Sequence, residues 1–305
     1  MKIAKGITFF SILAVIFGSC FDAPNFPDEP RIELEDVTFV ETSNTSLADT
    51  LIIALRFKDG DGDLGLDPTQ INEPFHQTNF YVANANDELL PIPTVYKYIN
   101  LPPLISVPQG VTGKLVSNRT DKATTYTKHF YNSSGTEATT LPQWADANCT
   151  NYLFDSLYVE EKDKSIFEGV YTPYKVLTSN LGNPNVYILL DTFYYERNPS
   201  HYNITVDFEV FDAADPSPDP EDKWKPFNWR TIFPYPNCGE SFDGRFPILA
   251  DDSSPLEGVI RYRMVSSGFI PLFGNKPVRL KIQIADRSLR KSNIIVTPGQ
   301  PIRDF

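Results

Sequence analysis

Apolar residues recur along this chain at every second position, and the spacing of three or four that a helix needs is seldom held. Ile204, Val206, Phe208 and Val210 fall on one side, with Thr205, Asp207 and Glu209 on the other. Ile260, Tyr262 and Met264 alternate with Arg261 and Arg263, and Val278, Leu280, Ile282 and Ile284 with Arg279, Lys281 and Gln283. Successive strand residues leave opposite faces of a sheet, so each stretch predicts a strand with one dry and one wet face. Such strands pair antiparallel and bury their dry faces against a second sheet. Nearer the start, Ile32 and Leu34 share a face, and Val37 and Phe39 resume the alternation after Glu35–Asp36. That slip of phase predicts a β-bulge. Leu51–Phe57 is apolar enough for a central strand. No segment sustains a helical period beyond a turn or two, so the expectation is an all-β protein built on an antiparallel β-sandwich.

The alternation is clearest in residues 31–70 and 201–305, which are assigned to the sandwich. Residues 71–200 are harder to read, because proline, asparagine and threonine interrupt apolar runs such as Tyr152–Phe154 and Val186–Leu190. They are expected to be an insertion with extra strands and long loops, with a second β subdomain as the alternative. A hydrophobic share of 41% is ordinary for a packed core. The 26 prolines and 13% aromatic residues fit short strands joined by stiff loops. The net charge of −12 and the lack of any basic patch argue against nucleic acid as a partner.

The first residues follow another logic. Met1–Lys2 and Lys5 bring positive charge, Ile7–Phe17 is apolar, and Gly18–Ser19 place two small residues before Cys20. That is the layout of a secretory signal. The segment Ile16-Phe17-Gly18-Ser19-Cys20 resembles the lipobox of bacterial lipoproteins, with Phe17 where leucine is more usual. The resemblance implies removal of residues 1–19 and an N-terminal acyl lipid on Cys20; an ordinary secretory signal is the alternative. Two or more acyl chains anchor a protein durably, at about 0.8 kcal/mol per buried CH₂. Residues 20–30, with Pro24, Pro27 and Pro30, are expected to be a solvated tether holding the body off the membrane. Asp22 resembles, loosely, the acidic export signals of surface lipoproteins in Bacteroidetes.

With Cys20 set aside, Cys149 and Cys238 remain. Two cysteines in an exported protein read as one structural disulfide, the alternative being two buried thiols.

Two segments carry candidate chemistry. Asp59-Gly60-Asp61-Gly62-Asp63-Leu64-Gly65-Leu66-Asp67 follows the Leu51–Phe57 strand. Carboxylates at alternate positions of a glycine-bent loop can converge on one hard cation, so Asp59, Asp61, Asp63 and Asp67 are candidate calcium ligands. This is not an EF-hand: Leu64 stands where that loop requires glycine, and Gln70 where a bidentate glutamate closes it. A calcium site here needs a distant carboxylate to complete it. The competing reading is a tight turn with no ion, in which four crowded carboxylates would repel one another. The second segment, Asp212–Cys238, carries Trp224, Phe227, Trp229, Phe233 and Tyr235 on a proline-rich run. Of these, Trp224, Phe227, Trp229 and Tyr235 are candidate contacts to a partner protein or a glycan, since aromatics dominate interface hot spots. The equally weighted alternative is a loop folded back as part of the core.

Nothing points to catalysis. His76, His129 and His201 are scattered without metal-ligand spacing, and no nucleophile elbow is present. The chain therefore reads as a non-enzyme. The stretches Pro24…Phe26-Pro27…Pro30-Arg31-Ile32, Phe57-Lys58-Asp59-Gly60-Asp61-Gly62-Asp63-Leu64-Gly65 and Ile284-Ala285-Asp286-Arg287-Ser288-Leu289-Arg290-Lys291-Ser292-Asn293 resemble a group of Bacteroidetes surface lipoproteins. The resemblance implies an immunoglobulin-like β fold and an outer-membrane, cell-surface address, and it brings no activity with it. The functional expectation is an accessory or binding subunit of an outer-membrane β-barrel complex for secretion, barrel assembly or uptake. The alternative is a glycan-binding surface lipoprotein of a nutrient-uptake system.

Overall fold

A computed structural model describes residues 25–42, 48–98, 101–120, 127–131, 137–141, 147–171, 175–177, 185–250 and 254–305. The signal segment 1–19 and Cys20 lie outside the described residues, as does the tether up to residue 24. The strands in order are β1 (Arg31–Val40), β2 (Asp49–Asp59), β3 (Thr78–Ala83), β4 (Leu89–Val95), β5 (Leu104–Ile105) and β6 (Lys114–Leu115). They continue with β7 (Thr127–Tyr131), β8 (Glu137–Thr140), β9 (Tyr152–Glu160), β10 (Lys175–Leu177), β11 (Val186–Arg197) and β12 (Ile204–Phe211). The last are β13 (Trp224–Phe227), β14 (Leu256–Ser266), β15 (Pro277–Ile284), β16 (Ile295–Val296) and β17 (Gln300–Pro301). Among the described residues helix is confined to short 3₁₀ turns and one α-helical turn, Phe269–Phe273. The protein is all-β.

Two antiparallel sheets face each other. One is β1-β2-β14; the other runs β13-β12-β15-β16, with β17 also on β15. The period-two pattern sets what lies between them. Leu51, Ile53, Leu55 and Phe57 of β2 meet Val206, Phe208, Leu280, Ile282 and Ile284 in one buried cluster, with Ile260 and Met264 of β14. The pairing of β1 with β2 shifts register between Leu34 and Asp36, so the bulge falls at Glu35, where the phase slip places it.

The middle of the chain forms a separate closed sheet. Strands β11, β9, β5, β4 and β3 follow in order, and β11 pairs again with β3 to close the ring. All contacts in it are antiparallel except β5 with β9. Strand β3 is buried on both faces, which divides the apolar residues into two clusters: Phe80 and Val82 lie in one, Tyr81 and Ala83 in the other. In β3 the loss of alternation has its cause here, because a strand wet on neither face need not alternate, whereas β9 and β11 lose it by exposing apolar Phe154 and Leu190.

The two connections between the bodies run side by side. The Asn198 side chain donates to the carbonyls of Pro74 (2.6 Å) and His76 (2.8 Å), clamping the exit strand to the entry segment. A disulfide joins Cys149, just before β9, to Cys238 in the loop after β13.

A candidate cation centre at the sandwich end

The inward parity of β2 runs Leu51, Ile53, Leu55, Phe57 and then Asp59. That of β15 runs Val278, Leu280, Ile282, Ile284 and then Asp286. Both strands reach the same end of the sandwich from opposite sheets, so each delivers a carboxylate where the core would otherwise continue. Asp59 is 0% exposed and Asp286 2%. The loop after β2 crosses this end: Leu64 bridges to Asp286, and the Arg287 amide donates to the Asp63 carbonyl at 3.2 Å. Gly62 takes φ 69, a conformation that costs glycine little and other residues much. Together these features bring ligand oxygens of Asp59, Asp61, Asp63 and Asp286 within 4.8 Å of one another.

Such a cluster is costly unless something compensates it. Arg290 does so in part. Its Nε donates to Asp286 Oδ2 at 2.6 Å, and its Nη2 pairs with Asp61 and lies 3.4 Å from Asp63 Oδ2. Ser288 adds its amide (3.1 Å) and hydroxyl (2.7 Å) to the same Asp63 oxygen. Asp59 receives none of this. Both its oxygens are buried without a hydrogen-bond partner, as are Oδ1 of Asp61 and Oδ1 of Asp63. Burial, reinforced by the charges of Asp61, Asp63 and Asp286, pushes the Asp59 carboxyl up to about 6. Burial likewise raises Asp286, against the pull of Arg290. At Asp61 burial pushes the same way, yet the Arg290 hydrogen bond and charge prevail and hold it below the usual range. Four carboxylates facing one guanidinium, with buried oxygens left unpaired, form a group that could hold a metal ion.

Asp67 is not part of this cluster. Its Oδ1 accepts from the Thr69 amide (2.7 Å) and hydroxyl (2.5 Å), which makes it the start of a turn. The distant carboxylate that a cation site on this loop would need is supplied by Asp286, which continues the alternation of β15.

The aromatic segment is folded back on the body. Trp229 is 5% exposed, packed among Phe208, Phe227, Phe242, Phe269 and Phe273. As a contact residue it is corrected to a core residue. Trp224 and Phe227 belong to β13, hydrogen-bonded along β12, and both are half-buried. The Arg279 guanidinium covers the Trp224 ring at 4.6 Å. Tyr235 is half-buried against the second body, its hydroxyl 3.2 Å from Thr192 Oγ1. The structure therefore does not gather these four into one exposed surface. No family model matches the chain, and no curated protein or solved structure matches it either.

Proposed function

We propose that this protein is a lipid-anchored, non-enzymatic outer-membrane protein, exposed at the cell surface, that serves as an accessory subunit of a β-barrel membrane complex. Its two-sheet body is read as an immunoglobulin-like sandwich carrying the closed barrel as an insertion. The observation that carries this reading is where the chain joins the body. Pro30 is buried, Asp28 pairs with Arg290 at 3.6 Å, and the Phe26 ring lies 5.4 Å from the Lys58 ammonium. Residues 25–30 thus lie on the body and are not a free tether, which corrects the longer stalk expected from proline content. Between an acylated Cys20 and Asn25 the chain spans at most about 18 Å. The body then rests close beside the bilayer, within reach of an integral barrel. The glycan reading needs Trp224 and Trp229 as an exposed flat pair, and the burial of Trp229 removes that support.

The cation assigned to the cluster is Ca²⁺. Every donor is a carboxylate oxygen, the two free oxygens of Asp59 suit bidentate binding, and Ca²⁺ tolerates irregular geometry at about 2.3–2.6 Å. Oxygens sharing one such ion lie no more than about 5 Å apart, which the cluster satisfies. Its role is structural.

A mild-detergent pull-down of the lipidated protein from its own membrane, followed by mass spectrometry, tests the accessory role. A stoichiometric barrel protein is expected, and recovery of the lipoprotein alone would overturn the reading.

A further inference from the structure

The hydrogen bonds around the carboxylates are divided in a particular way. Asp61 and Asp63 each commit Oδ2 to Arg290, with Ser288 also on Asp63, and keep Oδ1 buried and unpaired. Asp286 accepts the Arg290 amide on Oδ1 at 2.8 Å and Nε on Oδ2 at 2.6 Å. Asp59 keeps both oxygens free. An arginine competing for the ion's place would be expected to engage the most buried carboxylate, and Arg290 leaves that one alone. Groups behind a metal site that hold one oxygen and aim the other are its outer shell.

The same guanidinium reaches out of the cluster. Its Nη1 is the partner of Asp28, so Arg290 touches the metal loop, the turn after β15 and the segment leading in from the anchor. That segment is pressed onto the loop at Gly60. A Cβ there would overlap the Phe26 carbonyl and come within 2.7 Å of the Pro27 carbonyl oxygen. Two residues after Pro30, the Asn293 side chain brackets Ile32, accepting from its amide and donating to its carbonyl at 2.9 Å each. Residues 25–30 are therefore seated on the outer surface of the carboxylate cluster.

We propose that Ca²⁺ bound by Asp59, Asp61, Asp63 and Asp286 sets the seating of residues 25–30, with Arg290 as the positioning residue that links the ion to Asp28. The calcium centre then works as a joint that fixes how the body stands on its anchor. This rests on the calcium assignment made above, and it goes further by naming what the ion controls. With the ion bound, the loop closes around it, Gly60 presents a fixed surface to Phe26 and Pro27, and Arg290 holds the outer carboxylate oxygens and Asp28 at once. Without it, the carboxylates repel one another, the loop opens, and the seat loosens.

Two measurements on the full chain test this. Calorimetric titration with Ca²⁺ reads binding, and hydrogen exchange by mass spectrometry reads residues 25–34 with Ca²⁺ or with chelator. The wild type is expected to bind one ion, with exchange in the lead slowed about tenfold or more. Asp59→Asn, nearly isosteric, is expected to abolish both effects. Asp28→Asn alters an exposed residue, so folding is not at stake; it should remove the protection and, because the coupling is reciprocal, weaken Ca²⁺ binding by no more than the factor by which the ion slows exchange, about tenfold. Arg290→Gln should lose the protection while weakening binding about 10–100-fold. Absence of Ca²⁺ binding by the wild type would overturn the calcium assignment and the joint with it. Binding with unchanged exchange in residues 25–34 would overturn the joint alone, as would full protection in Asp28→Asn.

Discussion

Trp229 sits among five phenylalanine rings at centroid separations of 4.7–5.6 Å, nearly perpendicular to each. Edge-to-face packing of this kind adds to the gain from burial. Truncation to alanine is expected to cost about 3–5 kcal/mol in urea unfolding, as for other large aromatic residues in cores. The indole Nε1 is buried without a partner, so Trp229→Phe removes an unsatisfied donor while keeping most of the ring. It should cost far less than alanine. Equal losses from the two substitutions would mean that the indole nitrogen has a bonding role. Nothing in the local sequence separates this tryptophan from Trp224 five residues earlier. What separates them is Phe242 and Phe269, which arrive from distant segments to close over one ring.

At the scale of elements, β12 and β15 show how a face read as wet can be covered. Glu209 pairs across the sheet with Arg279 and is 8% exposed. Arg279 donates to Glu209 at 2.6 Å and to Glu221 at 2.7 Å, and Lys281 donates to Glu209 at 2.6 Å. Trp224, the first residue of β13, lies over the guanidinium, and Glu221 from the segment between β12 and β13 binds it, so the two cap this outer face. Burial by itself would raise the Glu209 carboxyl, but the hydrogen bonds from Lys281 and Arg279 outweigh it and hold the group below its usual range. A carboxyl depressed on folding stabilises fully above its unfolded value of about 4.3 and loses that contribution as pH falls through the folded value. Glu209→Gln should therefore lower stability at neutral pH by about 3 kcal/mol, the lower end for breaking a buried pair because Glu221 still serves Arg279. Its acid-unfolding curve below about pH 4.3 should also be shallower than that of the wild type. An unchanged acid limb would show that the pair contributes nothing on folding. The alternation correctly placed Glu209, Arg279 and Lys281 on the side away from the core. It carried no information about the loop that covers them.

At the scale of the molecule, two bodies with separate cores are held by the Asn198 clamp at the crossing and by the disulfide. Cys149 and Cys238 are 89 residues apart, and the pair joins the closed barrel to the loop that carries Trp229. Closing a loop of that length removes unfolded-state entropy worth about 4–5 kcal/mol. Replacing both cysteines by serine should lower the unfolding free energy by that amount while leaving strand content by circular dichroism intact. A change of less than about 1 kcal/mol would mean that the unfolded chain is already restrained.

What the sequence determined by itself was local. Period-two alternation placed β1, β12, β14 and β15 with their inner faces, continuous apolarity placed β2 as a central strand, the break at Glu35 placed the bulge, and cysteine parity placed the disulfide. Apart from the disulfide, which follows from two cysteines remaining to pair once Cys20 is set aside, these features rest on neighbouring residues, whose side chains alternate whatever the rest of the chain does. Ring closure of β11 onto β3, the burial of Trp229 and the meeting of Asp59 with Asp286 depend on contacts between residues far apart in sequence. Only the tertiary structure could decide those, because closing a sheet, covering a ring or gathering carboxylates is settled by what arrives from elsewhere in the chain.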